Sequence, residues 1–207
     1  MKTGRFITFE GPEGGGKTTQ ARMLEMHLTD AGTPALYTRE PGGTAIGEAI
    51  RDILQHDVAG EAIHAETEML LFEASRAQLV RDVIVPALEC GTWVICDRYI
   101  DSTTAYQGYG RGFSLDQVCA INAFAIGGLE PDMTILMDID IEEGFARIEA
   151  NGVGLDRIES EAREFHQRVR DGYLKLATKS PERFRVVNAA LDSDVLAEEI
   201  WGLINDG

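Results

Sequence analysis

A glycine-rich segment between a short apolar run and a helical pattern limits the folds open to this chain. Its residues are Gly11, Pro12, Glu13, Gly14, Gly15, Gly16, Lys17 and Thr18, and they match the pattern G-x-x-x-x-G-K-[ST]. Glycines let successive backbone N–H groups turn inward, where they and the N-terminus of the next helix can hold phosphate groups. The segment therefore predicts a strand, a phosphate-binding loop and a helix in that order.

The same alternation of short apolar runs and longer helical patterns continues along the chain. It predicts an α/β fold, a P-loop doubly wound five-stranded parallel sheet flanked by helices, with residues 1–207 as one domain. The predicted strands are 5–10, 35–39, 93–97, 134–138 and 184–188. The predicted helices are 17–30, 45–55, 66–89, 115–126, 141–149, 160–178 and 195–204, and Pro86 should bend or end the third early.

The charge balance limits the partners. The 207 residues carry 35 acidic and 19 basic side chains, a formal net charge of −16, which disfavours binding to nucleic acid or to an anionic membrane. No apolar stretch reaches the roughly 18 residues that cross a bilayer. Three cysteines without metal-ligand spacing predict reduced thiols, and so a cytoplasmic protein.

The loop itself predicts a nucleotide triphosphate site. Lys17 would neutralise the terminal phosphates, Thr18 would supply a hydroxyl to Mg²⁺, and Thr19 follows in the same helix start. Asp97, at the end of the third predicted strand, is the expected second Mg²⁺ ligand. The alternative, a glycine-rich turn with a solvated lysine, does not account for the strand before the loop and the helix after it.

Arginines at the strand ends indicate a second anion site. Arg98 follows Asp97, where many P-loop ATPases have a glutamate that polarises water, and the guanine-reading pattern Asn-Lys-x-Asp is absent. An arginine cannot activate water but can clamp an anion, which favours an acceptor that carries its own phosphate. Arg39 ends the second predicted strand at the same edge. A surface salt bridge between Asp97 and Arg98 is the competing interpretation.

Phe72 and Arg76 lie one turn apart on a predicted helix, so a ring and a guanidinium could face a flat base together. A phenylalanine on a helix is more often part of the core, and that alternative stays open at this point.

Several segments of the chain resemble the bacterial thymidylate kinases, within the nucleoside monophosphate kinase group. They are Phe-Glu-Gly-Pro-Glu-Gly at 9–14, Thr-Arg-Glu-Pro-Gly-Gly-Thr at 38–44, Leu-Phe-Glu-Ala-Ser-Arg at 71–76, Asp-Arg-Tyr at 97–99, Ala-Tyr-Gln-Gly at 105–108 and Leu-Asp-Arg-Ile-Glu at 155–159. The resemblance covers nearly the whole length. It implies transfer of the γ-phosphoryl group of ATP to dTMP, giving dTDP and ADP for dTTP synthesis, with Mg²⁺ and as a homodimer.

The resemblance also implies roles for individual residues. Phe72 would stack on thymine, Arg76 would hydrogen-bond the base, and Arg39 and Arg98 would hold the acceptor phosphate. The other implied dTMP contacts are Glu13 near the 3′-hydroxyl, Tyr106 against the sugar's 2′ position, Gln107 and Thr103.

A lid is expected at residues 147–160. Relatives with an acidic P-loop residue, as Glu13 is here, carry several lid arginines, whereas residues 149–154 contain none. We expect Arg157, or Arg147 as second choice, to supply charge to the transferring phosphate. Alternatively, Asp156 and Arg157 only cap the following helix.

Two other functions are compatible with parts of the sequence. One is a kinase for a different monophosphate or a small hydroxyl acceptor, and the other is a regulatory module that binds ATP without transferring it. The second does not need the second anion site. The homodimer that the resemblance implies would form through the apolar faces of helices 66–89 and 115–126.

Overall fold

A computed structural model describes residues 4–56, 60–152 and 154–205. Five parallel strands form one sheet in the order β2-β3-β1-β4-β5. The strands are β1 (Phe6–Glu10), β2 (Ala35–Arg39), β3 (Trp93–Asp97), β4 (Met133–Asp138) and β5 (Phe184–Asn188). The predicted α/β fold with a parallel sheet flanked by helices is therefore confirmed, and each strand lies within one residue of its predicted start.

Helices cover both faces of the sheet. They are α1 (Lys17–Asp30), α2 (Ala45–Gln55), α3 (Ala65–Leu79), α4 (Val85–Glu89), α5 (Ile100–Thr103), α6 (Leu115–Ile126), α7 (Ile141–Ala150), α8 (Arg163–Lys179) and α9 (Ser193–Asn205). The predicted helix 66–89 is α3 and α4 joined by a π-helical turn, Val80–Ile84, just before Pro86. Proline lacks the N–H of a regular turn, which accounts for an irregularity at this place.

The central strands are continuous apolar runs in the sequence because both of their faces are buried in the core. All five residues of β1 are buried, because helices pack on both faces of the strand. Ile7, Phe9 and Ile95 face a cluster shared with α1 and α9, whereas Phe6 and Val94 face a cluster shared with α3 and its π-helical turn. The strands are therefore fixed in position up to their carboxyl ends, where the polar residues begin.

One element was not predicted. Residues 100–110, where the sequence predicts neither a strand nor a helix, form α5 and a π-helical segment, Thr104–Gly110. Gly108 and Gly110 are poor helix formers, and the element is too short for a clear helical period. It is held by packing against α8 and α6, and residues 105, 106, 165 and 169 share a buried cluster. It carries Thr103, Tyr106 and Gln107.

No helix among the described residues is long and apolar enough to span a membrane.

Candidate active site

Three strand ends and the glycine-rich loop meet at one edge of the sheet. β3 lies between β1 and β2, with Asp97 in register with both Phe9 and Arg39. The Thr18 hydroxyl donates a hydrogen bond to the Asp97 carboxylate, which is almost fully buried. The predicted convergence of loop, aspartate and arginines at this edge is thus what the structure shows.

The loop packs tightly against α7. Gly14 has a φ of 71°, and a Cβ there would lie 2.0 Å from the carbonyl oxygen of Gly144. The same crowding holds at Gly144, where a Cβ would lie 2.3 Å from the Glu13 carbonyl oxygen. Only glycine fits at these two positions, so the backbone of α7 packs directly against the backbone of the loop.

Lys17 lies inside the loop and is almost fully buried, with Nζ donating to the Pro12 carbonyl oxygen at 2.6 Å. Burial and the charge of Arg98 lower the pKa of Lys17 to about 8, although the carboxylates of Glu13 and Asp97 act in the opposite direction. A bound polyanion would add favourable charge, so this ammonium is placed to gain from phosphate binding.

A cavity of about 310 Å³ opens beside the loop. Seven of the eight residues predicted to contact the acceptor line it, namely Glu13, Arg39, Phe72, Arg98, Thr103, Tyr106 and Gln107. Lys17, Thr18 and Asp97, which were predicted for ATP and Mg²⁺, line it as well. They come from the glycine-rich loop, from the ends of β2 and β3, from α3 and from the unpredicted π-helical segment. The cavity is therefore the candidate acceptor site, with a ring, an amide and several cations on its wall.

Arg98 forms part of this cavity wall. Its φ of 71° is in the left-handed region that side chains other than glycine rarely adopt. The guanidinium NH2 lies 2.7 Å from Glu13 Oε1, and the Tyr106 hydroxyl donates to the same oxygen at 2.6 Å. Burial disfavours the Glu13 carboxylate, yet the charges of Arg98 and Lys17 lower its pKa to about 2. Glu13 is therefore ionised and pairs with Arg98.

Arg39 has an available donor. Its NH2 pairs with Glu48 at 2.8 Å, while its Nε is buried without a protein partner among the described residues. An unpaired buried N–H is costly, and an anion in the adjoining cavity would satisfy it.

Arg76 lies behind the cavity wall in this structure. It is 1% exposed, and its three nitrogens contact protein acceptors. The partners are the carboxylates of Glu40 and Glu73, the Thr103 hydroxyl, the Asn122 amide oxygen and the Tyr99 carbonyl oxygen. Two of these partners, Glu40 and Thr103, line the cavity. A hydrogen bond from Arg76 to a base stays a prediction.

A second cavity, of about 580 Å³, also borders the glycine-rich loop. Gly14, Gly15, Gly16 and Thr19 line it, together with residues of α7 and of the segment after β5. Gly14, Gly16 and Thr19 therefore border both cavities.

The two lid arginines contact protein groups outside the glycine-rich loop in this conformation. Arg157 donates from Nε to the Leu54 carbonyl oxygen at 2.9 Å, and its NH2 lies 2.7 Å from Glu68 Oε2. Arg147 donates to the Ala189 carbonyl oxygen at 2.7 Å and lines the second cavity. Asp156 accepts hydrogen bonds from the N–H groups of Ile158 and Glu159 within a short turn. The next helix, α8, begins at Arg163 with Ala162 as its N-cap, so the alternative that Asp156 and Arg157 only cap that helix is wrong. Val153, within the predicted lid, lies outside the described residues.

Sequence reasoning missed several side chains on the first cavity's wall, among them Arg51, Glu40 and Ser102. Arg51 comes from α2 and donates to the Pro41 carbonyl oxygen at 3.0 Å. Its position in the chain gives a usable signal, because α2 begins directly after the segment that carries Arg39. Glu40 follows Arg39 in that segment, whereas Ser102 belongs to the unpredicted helix.

The site has the donor set that Mg²⁺ uses. Asp97 and Thr18 place a carboxylate and a hydroxyl oxygen together beside the loop. Mg²⁺ commonly binds one or two protein oxygens and takes its other ligands from water and phosphate. Among the described residues there is no group of three or more His, Cys, Asp or Glu side chains that could hold a metal by themselves. The residues present therefore fit a metal that arrives with a nucleotide.

Comparison with known proteins gives a consistent result. A family model described as thymidylate kinase matches residues 9–200. The chain is 50% identical to the thymidylate kinase of Thermomicrobium roseum over 201 residues, which cover 97% of this chain and 94% of the relative. It is 46% identical to that of Clostridium novyi, covering 99% and 100%, and 48% identical to that of Deinococcus radiodurans, covering 100% and 98%.

Proposed function

The chain belongs to the thymidylate kinase family, and we propose how its two cavities and the loop that borders both carry out the family's reaction. The protein is an enzyme that transfers a phosphoryl group from ATP to dTMP, giving ADP and dTDP. The observation that carries the assignment of residues is that two separate cavities border the glycine-rich loop.

In this proposal ATP binds with its phosphates in the loop and its nucleoside in the second cavity. The loop N–H groups and Lys17 hold the phosphates, and Thr19 and Arg147 border the nucleoside. dTMP occupies the first cavity, with its base against Phe72 and Gln107 and its phosphate near Arg39 and Arg98. The free Nε of Arg39 supports that placement, and Arg51 adds a cation to the same wall.

The chemistry asks the protein mainly for alignment and charge. A phosphate oxygen of dTMP forms a bond to the γ-phosphorus while the bond from that phosphorus to the β–γ bridging oxygen breaks, and ADP leaves with the electron pair. Two polyanions must approach each other, which Arg98, Arg39 and Lys17 make possible by neutralising their repulsion. No protein nucleophile is required.

Glu13 has two proposed tasks. It holds Arg98 at 2.7 Å before substrate arrives, and its position beside Tyr106 suits a contact with the 3′-hydroxyl of the sugar. Tyr106 would crowd a 2′-hydroxyl and favour deoxyribose. Residues 147–160 would close over the nucleotides and exclude water, with Arg157 moving from Glu68 toward the transferring phosphate.

Mg²⁺ would be held by Asp97 and the Thr18 hydroxyl together with nucleotide phosphates and water. When bound, it would neutralise charge on the phosphate oxygens of ATP.

We also propose that the enzyme is a homodimer. Phe124 on α6 is 84% exposed and Leu70 on α3 is 56% exposed, and these are the two helices whose apolar faces were expected to pair. Large exposed apolar side chains of this kind are typical of subunit interfaces. The cytoplasmic location expected from the cysteines stays a prediction.

The experiment is a coupled ADP-release assay with dTMP, dUMP, dGMP and CMP at one ATP concentration. We expect dTMP to be the preferred acceptor, and removal of Mg²⁺ with EDTA to abolish transfer. Arg39→Ala and Phe72→Ala should raise the KM for dTMP while leaving ATP binding intact. If both variants kept the wild-type KM, dTMP would not bind in the first cavity.

A further inference from the structure

A buried carboxylate behind the first cavity contacts the amide that faces the proposed base. Glu68 on α3 is 1% exposed, and its Oε1 accepts a hydrogen bond from Gln107 Nε2 at 2.9 Å. Gln107 is also 1% exposed and lines the cavity. Since Nε2 is directed at Glu68, the amide oxygen is the polar atom of Gln107 left to meet a ligand, and it has no protein hydrogen-bond partner among the described residues.

Glu68 is kept ionised by its other partners. Arg111 donates to both of its oxygens, at 3.1 and 3.0 Å, and Arg157 lies 2.7 Å from Oε2. Burial disfavours the charge, but the hydrogen bonds from Arg111 and Gln107 outweigh it and lower the pKa of Glu68. An ionised carboxylate only accepts hydrogen bonds, so it permits one of the two amide orientations of Gln107 and opposes the other.

We propose that Glu68 is a positioning residue for base specificity, which it exerts by fixing the amide oxygen of Gln107 toward the acceptor base. This proposal rests on the placement of dTMP in the first cavity. Thymine carries a hydrogen-bond donor at N3, which matches an acceptor oxygen, whereas cytosine carries an unprotonated N3 that would face the same oxygen unfavourably. A site built to accept a hydrogen bond rejects an analogue without the donor, because its own polar atom is left unpaired.

The test compares dTMP with 5-methyl-dCMP, which has the same ring size and the same methyl group. The readout is the ratio of kcat/KM values for the two acceptors in wild type and in Glu68→Gln. A glutamine at 68 can accept or donate, so the Gln107 amide becomes free to rotate. We expect the preference for dTMP to fall about tenfold or more in the variant. The exocyclic group at C4 also differs between the two acceptors, but that difference is common to all variants.

Glu161→Gln is the matched control. It changes the other carboxylate that pairs with Arg111, at 2.6 Å, and leaves every partner of Glu68 in place, so a merely structural role of the cluster would make both variants behave alike. We expect Glu161→Gln to keep the wild-type ratio. An unchanged ratio in Glu68→Gln, or an equal fall in Glu161→Gln, would overturn the proposal.

A second variant keeps the test decisive if Glu68→Gln folds poorly. Gln107→Met removes the amide while Glu68 keeps its arginine partners. We expect the ratio of kcat/KM values for dTMP and 5-methyl-dCMP to fall by the same factor as in Glu68→Gln. In the Gln107→Met background, Glu68→Gln should change the ratio no further, and an additional fall would contradict an action through Gln107. Transfer to dTMP by the wild type tests the proposed function separately, so the two can fail independently.

Discussion

Arg98 NH2 lies 2.7 Å from Glu13 Oε1, and this ion pair joins the end of β3 to the glycine-rich loop. The backbone of Arg98 is strained, because its φ of 71° lies in the left-handed region that residues other than glycine seldom adopt. The strain is stored where the guanidinium must reach across to the loop. Arg98 thus joins the loop that we assign to ATP to the wall of the cavity that we assign to dTMP, where the two phosphate groups would have to be brought together.

Replacing Arg98 separates its charge from its backbone strain. We expect Arg98→Ala to lower kcat/KM for dTMP about 10³-fold, because a charge-assisted contact to a phosphate is lost in a largely buried site. Arg98→Gly should be as inactive but about 1 kcal/mol more stable than Arg98→Ala, since glycine adopts a positive φ without strain. Steady-state kinetics and urea unfolding measure the two effects.

The two measurements also exclude a trivial explanation. If the loss of activity came only from a distorted backbone, Arg98→Gly would recover most of it. Equal stability of the two variants would show that the left-handed conformation carries no strain.

Glu10 makes stability depend on pH. It is fully buried at the end of β1, where it accepts hydrogen bonds from Tyr99, Ser102 and Tyr173. Burial and, next, the charge of Asp101 raise its pKa to about 7 from the ordinary 4.5. The folded state therefore binds an additional proton between pH 4.5 and 7, and this stabilisation is lost as the pH rises through that range. The loss amounts to about 3 kcal/mol.

Urea unfolding of Glu10→Gln at several pH values checks this expectation. The variant lacks the titrating group, so its free energy of unfolding should fall less between pH 4.5 and 7 than that of the wild type. Glu198→Gln, which changes an exposed glutamate on α9, is the control and should keep the wild-type slope. Parallel slopes in all three proteins would mean that Glu10 does not titrate in this range.

The sheet and the phosphate loop were predictable because local sequence determines them. The strand β3 is an apolar run of fixed length that ends at Asp97, and the loop's glycine spacing is specific. Both patterns are read from neighbouring residues, and the parallel order of the strands brings their ends together. For this reason the sequence alone predicts that Arg39 and Arg98 lie at the same edge of the sheet, at the carboxyl ends of the strands.

The residues that sequence reasoning missed depend on contacts between distant segments. Ser102, which was missed, belongs to a short helical element, residues 100–110, that also carries the predicted contact Gln107. This element contains two glycines and is stabilised by packing against α8 and α6 rather than by its own propensity. Arg76 was expected at the base, but its guanidinium is enclosed by Glu40 and Glu73, and the helical spacing of Phe72 and Arg76 could not reveal those partners.

The lid arginines are testable by turnover. Arg157 pairs with Glu68 in this structure, so it must leave that carboxylate to meet the transferring phosphate. We expect Arg157→Ala to lower kcat about 10³-fold with a smaller change in the KM for dTMP, because the charge is needed mainly in the transition state. Arg147→Ala is the comparison, since Arg147 borders the second cavity. Less than a tenfold loss in both variants would remove the lid arginines from the mechanism.

Phe124 should control the oligomeric state. An 84% exposed phenylalanine on α6 loses most of its contact with water in a dimer, so Phe124→Glu should place a charge in the interface and shift the enzyme to monomers. Sedimentation velocity measures the change. Val195→Glu, at an exposed apolar position on α9, is the control and should leave the dimer intact. A monomeric wild type, or a Phe124→Glu protein that remains dimeric, would rule out this interface.

Gly144 should matter for ATP binding although it belongs to no nucleotide motif. Its Cβ would lie 2.3 Å from the Glu13 carbonyl oxygen, so Gly144→Ala must push the loop away from α7. We expect a loss of about 1–3 kcal/mol in stability and a weaker affinity for ATP, measured by urea unfolding and by titration calorimetry.

Gly202→Ala on α9 is the matched control, because a Cβ there meets nothing within 4 Å. Alanine is the better helix former, so that variant should gain about 0.5–1 kcal/mol and bind ATP normally. If Gly144→Ala bound ATP as the wild type does, α7 would not support the phosphate loop.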